Sequence, residues 1–252
     1  MKNIQTHFES RRIHSIDAEF PPLLRQLADS PSSLNYLGSI NPTDTFIAIV
    51  GTRHPSIRGI ETAHKFAFEL ALAGFTIVSG LAYGIDTAAH EGALAASKNS
   101  TIDSGKTIAI LGSGLENISP RANITLAEKI IETGGAIISE YPNSDTGAKY
   151  HFIERNRIIA GMSIATIVIE APKKSGALFT ADFSLEYNRE VFAVPGSIFS
   201  ENSEGTNELI KKGAAHLVTS TADIIEILGF KALTPTSPSS PLHKLSAQIK
   251  PS

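Results

Sequence analysis

The sequence predicts an α/β fold built on a doubly wound, mostly parallel sheet with helices on both faces. Three observations predict it. Short runs such as Phe46-Ile47-Ala48-Ile49-Val50 are apolar at every position rather than at alternate ones, as in strands buried on both sides. Segments of helical period separate those runs. Many of the 19 glycines in the 252-residue chain stand just after an apolar run, where a buried strand must turn sharply into a helix.

Residues 1–40 read as a short N-terminal arm or cap, with a turn at 17–21 and Leu24, Leu27 and Leu34 spaced like a short helix and its exit. The main domain is expected over 41–230. Its opening strand, 46–50, runs into Gly51, and a helix over 59–73 carries Ala63, Phe66, Ala67, Leu70 and Ala71 at helical period with Gly74 as its stop. A strand at 75–79 empties into the turn from Gly80 to Gly84, and an alanine-rich helix over 85–97 follows. After a polar loop at 99–105, a strand at 107–111 ends in Gly112-Ser113-Gly114, and a helix over 123–133 stops at Gly134-Gly135. A strand at 136–139 leads into a polar loop, 143–150, and then an amphipathic stretch that begins His151-Phe152-Ile153-Glu154-Arg155-Asn156-Arg157. The domain closes with strands at 164–169, 191–194 and 217–218, the last of them edge-like, and helices at 175–188, 204–212 and 221–228. Residues 231–252, rich in proline and serine and free of acids, are expected to be a disordered tail.

Composition excludes several function classes. The absence of cysteine removes disulfides, thiolate nucleophiles and cysteine-ligated metals. A formal net charge of -3 argues against a uniformly basic nucleic-acid surface but leaves room for a local basic patch. No apolar run approaches the roughly 18 residues of a membrane helix, and no signal peptide is visible, so a cytoplasmic protein without membrane insertion is expected. There is no GxSxG elbow, Walker A loop or HExxH pair, and Asn117 stands where a dinucleotide fingerprint beginning at Gly112 needs its third glycine. Asp86 and His90, four apart on one helix, are a weak metal signal, and Asp86 reads as a first-turn carboxylate favoured by the helix dipole. No catalytic residue, metal or cofactor is expected.

What the residues do suggest is an anion-binding crevice. Gly51 and Arg53 follow a buried strand, at the sheet edge where an arginine fork can clamp a phosphate, with Arg58 and His54 nearby. Ser79, Gly80 and Gly84 form a second strand-to-helix loop beside it, and Ser175-Gly176 supplies a helix start suited to a phosphate. Between them lies a basic segment in which Lys149, Arg155 and Arg157 interleave with Tyr150, His151 and Phe152, and which continues to Lys173 and Lys174. Cations that follow phosphates and rings that stack on bases are the chemistry of a single-strand groove. The same pattern also fits an ordinary amphipathic helix, with Phe152 and Ile153 in the core and a solvated charged face.

The segments GTRHPSIRG, SGLAYGIDTAAHEGAL, SEYP, RNRIIAG, VIEAPKKSGALFTA, REVFAVPG and SEGTNELIKKGA, in unbroken order over roughly residues 15–220, closely resemble the bacterial DNA-processing protein A family (DprA, also called Smf). The resemblance implies an extended Rossmann-like domain that binds single-stranded DNA, dimerises through that domain and helps load a RecA-type recombinase during natural transformation, without enzymatic activity. It makes Arg53 the principal phosphate-binding arginine and Lys149 and Phe152 the contacts to the nucleotide chain. Arg155, Asn156 and Arg157 match the RNR motif, and Ser79, Gly80, Gly84, Ser175 and Gly176 match the loops around the same pocket. The chain departs from the family pattern at Ser119-Pro120, where Tyr-Pro is usual, at Phe152-Ile153, where Phe-Pro is usual, and in lacking a proline over 143–148. Residues 1–40 are too few for the sterile-alpha-motif-like domain of many members, and no winged-helix-like domain fits after Gly229. Two alternatives remain at this stage. One is a nucleotide or nucleoside-phosphate hydrolase, whose PGGxGT-type loop is matched only in its first two residues by Pro195-Gly196-Ser197. The other is a recombinase-recruiting interaction module without DNA binding.

Overall fold

In the computed structural model, which describes residues 8–97 and 106–230, a nine-stranded mixed sheet is flanked by helices on both faces. The strands are β1 (Arg11–His14), β2 (Ser33–Gly38), β3 (Phe46–Val50), β4 (Thr76–Ser79), β5 (Thr107–Leu111), β6 (Ala136–Ser139), β7 (Ala165–Val168), β8 (Glu190–Ala193) and β9 (His216–Leu217). Their spatial order is β1-β2-β6-β5-β4-β3-β7-β8-β9. Neighbours from β6 through β9 are parallel, while β1 and β2 add antiparallel strands beyond β6. After β1 and β2 the parallel part starts at its centre with β3, steps outward through β4, β5 and β6, then returns to the other side of β3 with β7. The winding reverses between β3 and β7, and such a reversal opens a crevice at the carboxyl ends of the two strands. The expected doubly wound, Rossmann-like sheet is present.

The helices are α1 (Pro22–Arg25), α2 (Ile57–Leu72), α3 (Ile85–Ser97), α4 (Ile124–Glu132), α5 (His151–Glu154), α6 (Asn156–Met162), α7 (Ala177–Glu186), α8 (Glu204–Lys211) and α9 (Thr221–Ile227). The apolar run of β3 has a direct cause. Phe46, Ala48 and Val50 share a core with Ile158, Ile159 and Met162 of α6 and Ala177 and Ala181 of α7. Ile47 and Ile49 point the other way, into Ala63, Phe66, Ala67 and Leu70 of α2 and Ala88 and Ala89 of α3. Successive side chains of a strand face opposite sides, so both sets must be apolar. Burying each large one contributes about 1.5–3 kcal/mol.

The structure refines the reading of the N-terminal arm. The helix expected near Leu24 is the single turn α1, and Leu34 lies in β2. β1 (RRIH) is an edge strand with one buried residue, Ile13, too short for its alternation to register against background. α2 begins two residues earlier than its apolar period suggests, because the Ser56 hydroxyl accepts a hydrogen bond from Gly59 N and caps the helix. The loop at 99–105, the tail at 231–252 and the first seven residues of the arm lie outside the described residues. No helix among the described residues is long and apolar enough to cross a membrane.

His90 links α3 to the sheet. Its Nδ1 lies 2.7 Å from Thr107 Oγ1, whose own proton is donated to Ile77 O at 2.7 Å, so His90 is the donor and carries its proton on Nδ1. Its Nε2 is buried with no hydrogen-bond partner among the described residues. Burial, with a smaller push from Arg155, lowers the His90 pKa from 6.5 to about 3. Between these values the unfolded chain binds a proton that the folded chain refuses, so stability falls as pH falls through that window. The expected loss from this group is about 2 kcal/mol between pH 7 and pH 5. Urea denaturation of the wild type and of His90→Asn at both pH values checks it: the variant, which retains an amide donor for Thr107, should lose less by about that amount.

Candidate functional site

The loop that follows β3 carries Arg53 and is fixed from four sides. Thr52 N donates to Glu170 O at 2.7 Å, and Ile85 N donates to Thr52 O at 3.2 Å. Ser56 donates to the Glu170 carboxylate from its backbone N at 2.8 Å and from its hydroxyl at 2.6 Å. Asn202 Nδ2 donates to His54 O at 3.0 Å and reaches Glu170 Oε2 at 3.3 Å. From below, Gly84 takes a φ of +79°, and a Cβ there would stand 2.5 Å from Thr52 O. Only a glycine lets the two loops lie this close. The Arg53 side chain is left exposed on an immobilised backbone.

A buried guanidinium underlies the crevice. Arg155, 4% exposed, donates from Nη1 to Gly80 O at 2.7 Å and to Ile110 O, and from Nε to Asn156 Oδ1 at 3.2 Å. Across the Gly80 backbone, Asp86 Oδ2 accepts from Gly80 N at 3.1 Å and from Ala82 N at 3.3 Å. Burial lowers the Arg155 pKa to about 10, with Asp86 opposing the shift and Arg53 adding to it, so Arg155 is a cation at neutral pH. Burial pushes the Asp86 carboxyl up, against the pull of Arg155 and of the two N–H donors.

Two adjoining cavities open above this floor. The first, about 440 Å³, lies at the end of β3 and is lined by Gly51, Arg53, His54, Lys149, Phe152, Arg155, Asn156 and the turn into α7 from Lys174 to Ala177. The second, about 450 Å³, shares Arg53, Ala82, Lys149, Phe152 and Arg155 with the first and adds Gly80, Tyr83, Ser119 and Pro120. Asp86 is the single acid among the described residues that line either cavity. The Phe152 ring is seated on Gly112, where a Cβ would stand 2.9 Å from Phe152 Cδ1, and the Arg53 Cζ lies 6.0 Å from the ring centroid. Cations, a fixed aromatic face and a helix N-terminus suit a ligand that carries both phosphate and base.

Most of the residues singled out in the sequence meet here: Gly51, Arg53, Gly80, Lys149, Phe152, Arg155, Asn156, Ser175 and Gly176 all line the cavities. Gly84 acts from beneath by seating the Arg53 loop. Three are placed elsewhere. Ser79 is buried and donates to Ile49 O at 2.7 Å, cross-linking β4 to β3. Arg58 is exposed on α2 and lines neither cavity. Arg157 bonds Asp29 O at 2.8 Å and pairs with Glu140 at 2.5 Å, tying the N-terminal segment to the end of β6. Sequence reasoning missed Tyr83, Lys174, Glu170 and Asn202 as parts of the site. Tyr83 and Lys174 lay within segments already marked as glycine-rich or basic. Glu170 and Asn202 had no local signal, because their contacts join residues distant in the chain. Asp86 is more than the dipole-stabilised first-turn residue expected, since it is buried, binds two loop N–H groups and balances Arg155. It does not pair with His90, which binds Thr107 instead.

Comparison with known proteins gives a consistent match. Residues 11–229 match the family described as DNA recombination-mediator protein A. Protein Smf of Escherichia coli K12 is 44% identical over 216 residues, which cover 85% of this chain and 56% of that protein. The chain spans about half the length of this relative and of a Synechocystis Smf protein, 56% and 52% respectively. The X-ray structure of DNA processing protein A from Streptococcus pneumoniae superposes with a TM-score of 0.78 at 38% identity, covering 88% of this chain and 75% of that one. DNA processing protein A from Helicobacter pylori, whose structure was described for its single-stranded DNA binding mode, gives 0.76 at 30% identity, covering 90% of this chain and 98% of that one.

The Asp86–Arg155 arrangement yields a stability prediction. Asp86→Ala leaves a buried cation without its counter-charge and two loop N–H groups without an acceptor, and should cost about 3–5 kcal/mol. Chemical denaturation measured against the wild type checks this.

Proposed function

The chain belongs to the DNA recombination-mediator protein A family, and from that membership and the geometry of its crevice we propose that it binds single-stranded DNA. Backbone phosphates lie over the Gly51, Gly80 and Ser175-Gly176 loops, held by Arg53 and Lys149 with the charge of Arg155 beneath, and bases face Phe152. By analogy with the family, the bound strand is handed to a RecA-type recombinase in natural transformation, and the protein acts in the cytoplasm as a homodimer formed through the Rossmann-like domain. One observation carries the reading: the two joined cavities at the switch point are lined by the cations Arg53, Lys149, Arg155 and Lys174 against Asp86, the single acid among the described lining residues. A surplus of cations around an aromatic face recognises a polyanion of stackable units without regard to its sequence.

The test is a salt-titrated binding measurement with single- and double-stranded oligonucleotides. Arg53→Ala, with an unchanged melting profile, should weaken binding to single strands of any sequence. It should also reduce the slope of log affinity against log salt by roughly 0.7, the contribution of one phosphate contact. Unchanged affinity and slope would show that Arg53 does not hold the strand. Release of base or phosphate from a panel of mononucleotides would favour a hydrolase, and recombinase binding without oligonucleotide binding would favour a recruiting module.

A further inference from the structure

The loop between β4 and α3 is built more rigidly than a simple connection requires. Leu81 is fully buried with a φ of +58°, a left-handed conformation that costs a leucine on the order of 1–2 kcal/mol. The surroundings hold it there. Asn123 Nδ2 donates to Leu81 O at 2.8 Å, Thr87 Oγ1 donates to Ala82 O at 2.8 Å, and Asp86 accepts from Gly80 N and Ala82 N. Strain kept in place by surrounding bonds is characteristic of positions where a side chain must be aimed. The side chain aimed here is Tyr83. It is 51% exposed, lines the second cavity, and makes no hydrogen bond or ring contact with any described residue.

Phe152 also lines that cavity, its ring fixed by the seat on Gly112. The two cavities thus differ in character. The first holds the start of α7 with Lys174, Ser175 and Gly176, groups that favour a phosphate. The second adds Tyr83 and Pro120, with Phe152, Arg53 and Lys149 shared between both. Its volume of about 450 Å³ is within the range of pockets that enclose small organic groups.

We propose that Tyr83 and Phe152 form a base slot in the second cavity, where one nucleobase of the bound strand stacks while the adjoining phosphate lies at Arg53 and Lys149. The proposal rests on the single-strand reading given above and assigns its parts: the first cavity takes backbone, the second takes a base. Stacking uses the flat face common to all bases, so the slot imposes little sequence preference. The contact belongs to the ring, so the Tyr83 hydroxyl is dispensable.

The experiment compares a normal single strand with one of equal length and charge bearing abasic sites, on wild type, Tyr83→Ala, Tyr83→Phe and Arg53→Ala. The wild type should prefer the normal strand. Tyr83→Ala should lose on the order of tenfold in affinity for the normal strand and much less for the abasic one. Its salt slope should match the wild type, since no phosphate contact is removed, whereas Arg53→Ala flattens the slope. Tyr83→Phe should bind as the wild type does. Because the chain has no tryptophan, Tyr83→Trp adds a single fluorophore whose emission a stacked base should quench. Tyr83→Ala binding both strands as the wild type does, or losing equally on both, overturns the slot while leaving the single-strand reading intact if Arg53→Ala still weakens binding. A wild-type chain that binds neither strand overturns both.

Discussion

The buried guanidinium of Arg155 is the interaction on which the site depends. From one position at the start of α6 it bonds the carbonyl at the end of β4, a carbonyl within β5 and the neighbouring Asn156, and it faces the Asp86 carboxylate of α3. Asn156 in turn donates to Gly176 O at 3.1 Å, at the start of α7. One charged side chain thus fixes the relative positions of the structures that supply both cavities. A charge so enclosed is tolerated only when its donors and its counter-charge are satisfied, and here the satisfaction comes from the carbonyls and the carboxylate whose positions matter.

The same network explains how a chain of formal net charge -3 presents a cationic crevice. Acids are plentiful, but at the switch point they are turned to internal work. Asp86 balances Arg155 and binds loop amides, and Glu170 is taken up by Ser56 and Asn202. The cations around them, Arg53, Lys149 and Lys174, keep their exposure. Local potential follows from which charges are neutralised by neighbours, and total charge says little about it.

The fold was largely legible in the sequence, because strands buried on both faces leave an uninterrupted apolar record, as β3 does. The antiparallel β1 and β2 were not: β1 is an edge strand with one buried residue, and the buried Leu34, Asn35 and Leu37 of β2 do not alternate strictly. The candidate site was legible where side-chain chemistry and local geometry coincide. Gly51 and Arg53 follow a buried strand, and Lys149 and Phe152 flank a basic helix start. It was less legible where helical geometry separates neighbours. Arg155 and Arg157 are two apart, roughly 200° around the helix, so one enters the crevice and the other points to Glu140 and Asp29. The motif reads as one unit in sequence but serves two purposes in space.

The cross-bracing of the Arg53 loop by Glu170, Ser56 and Asn202 has a kinetic consequence. A loop already held in one conformation surrenders little freedom when a ligand arrives, so the ordering cost falls almost wholly on the incoming chain. Encounter with such a surface needs no prior rearrangement, and losses from altered contacts fall mainly on how long the complex lives. Loosening the brace, though none of its three residues lines the cavities, would shift part of the ordering cost back onto the protein. Residence time would then depend in part on carboxylate and amide groups that line neither cavity.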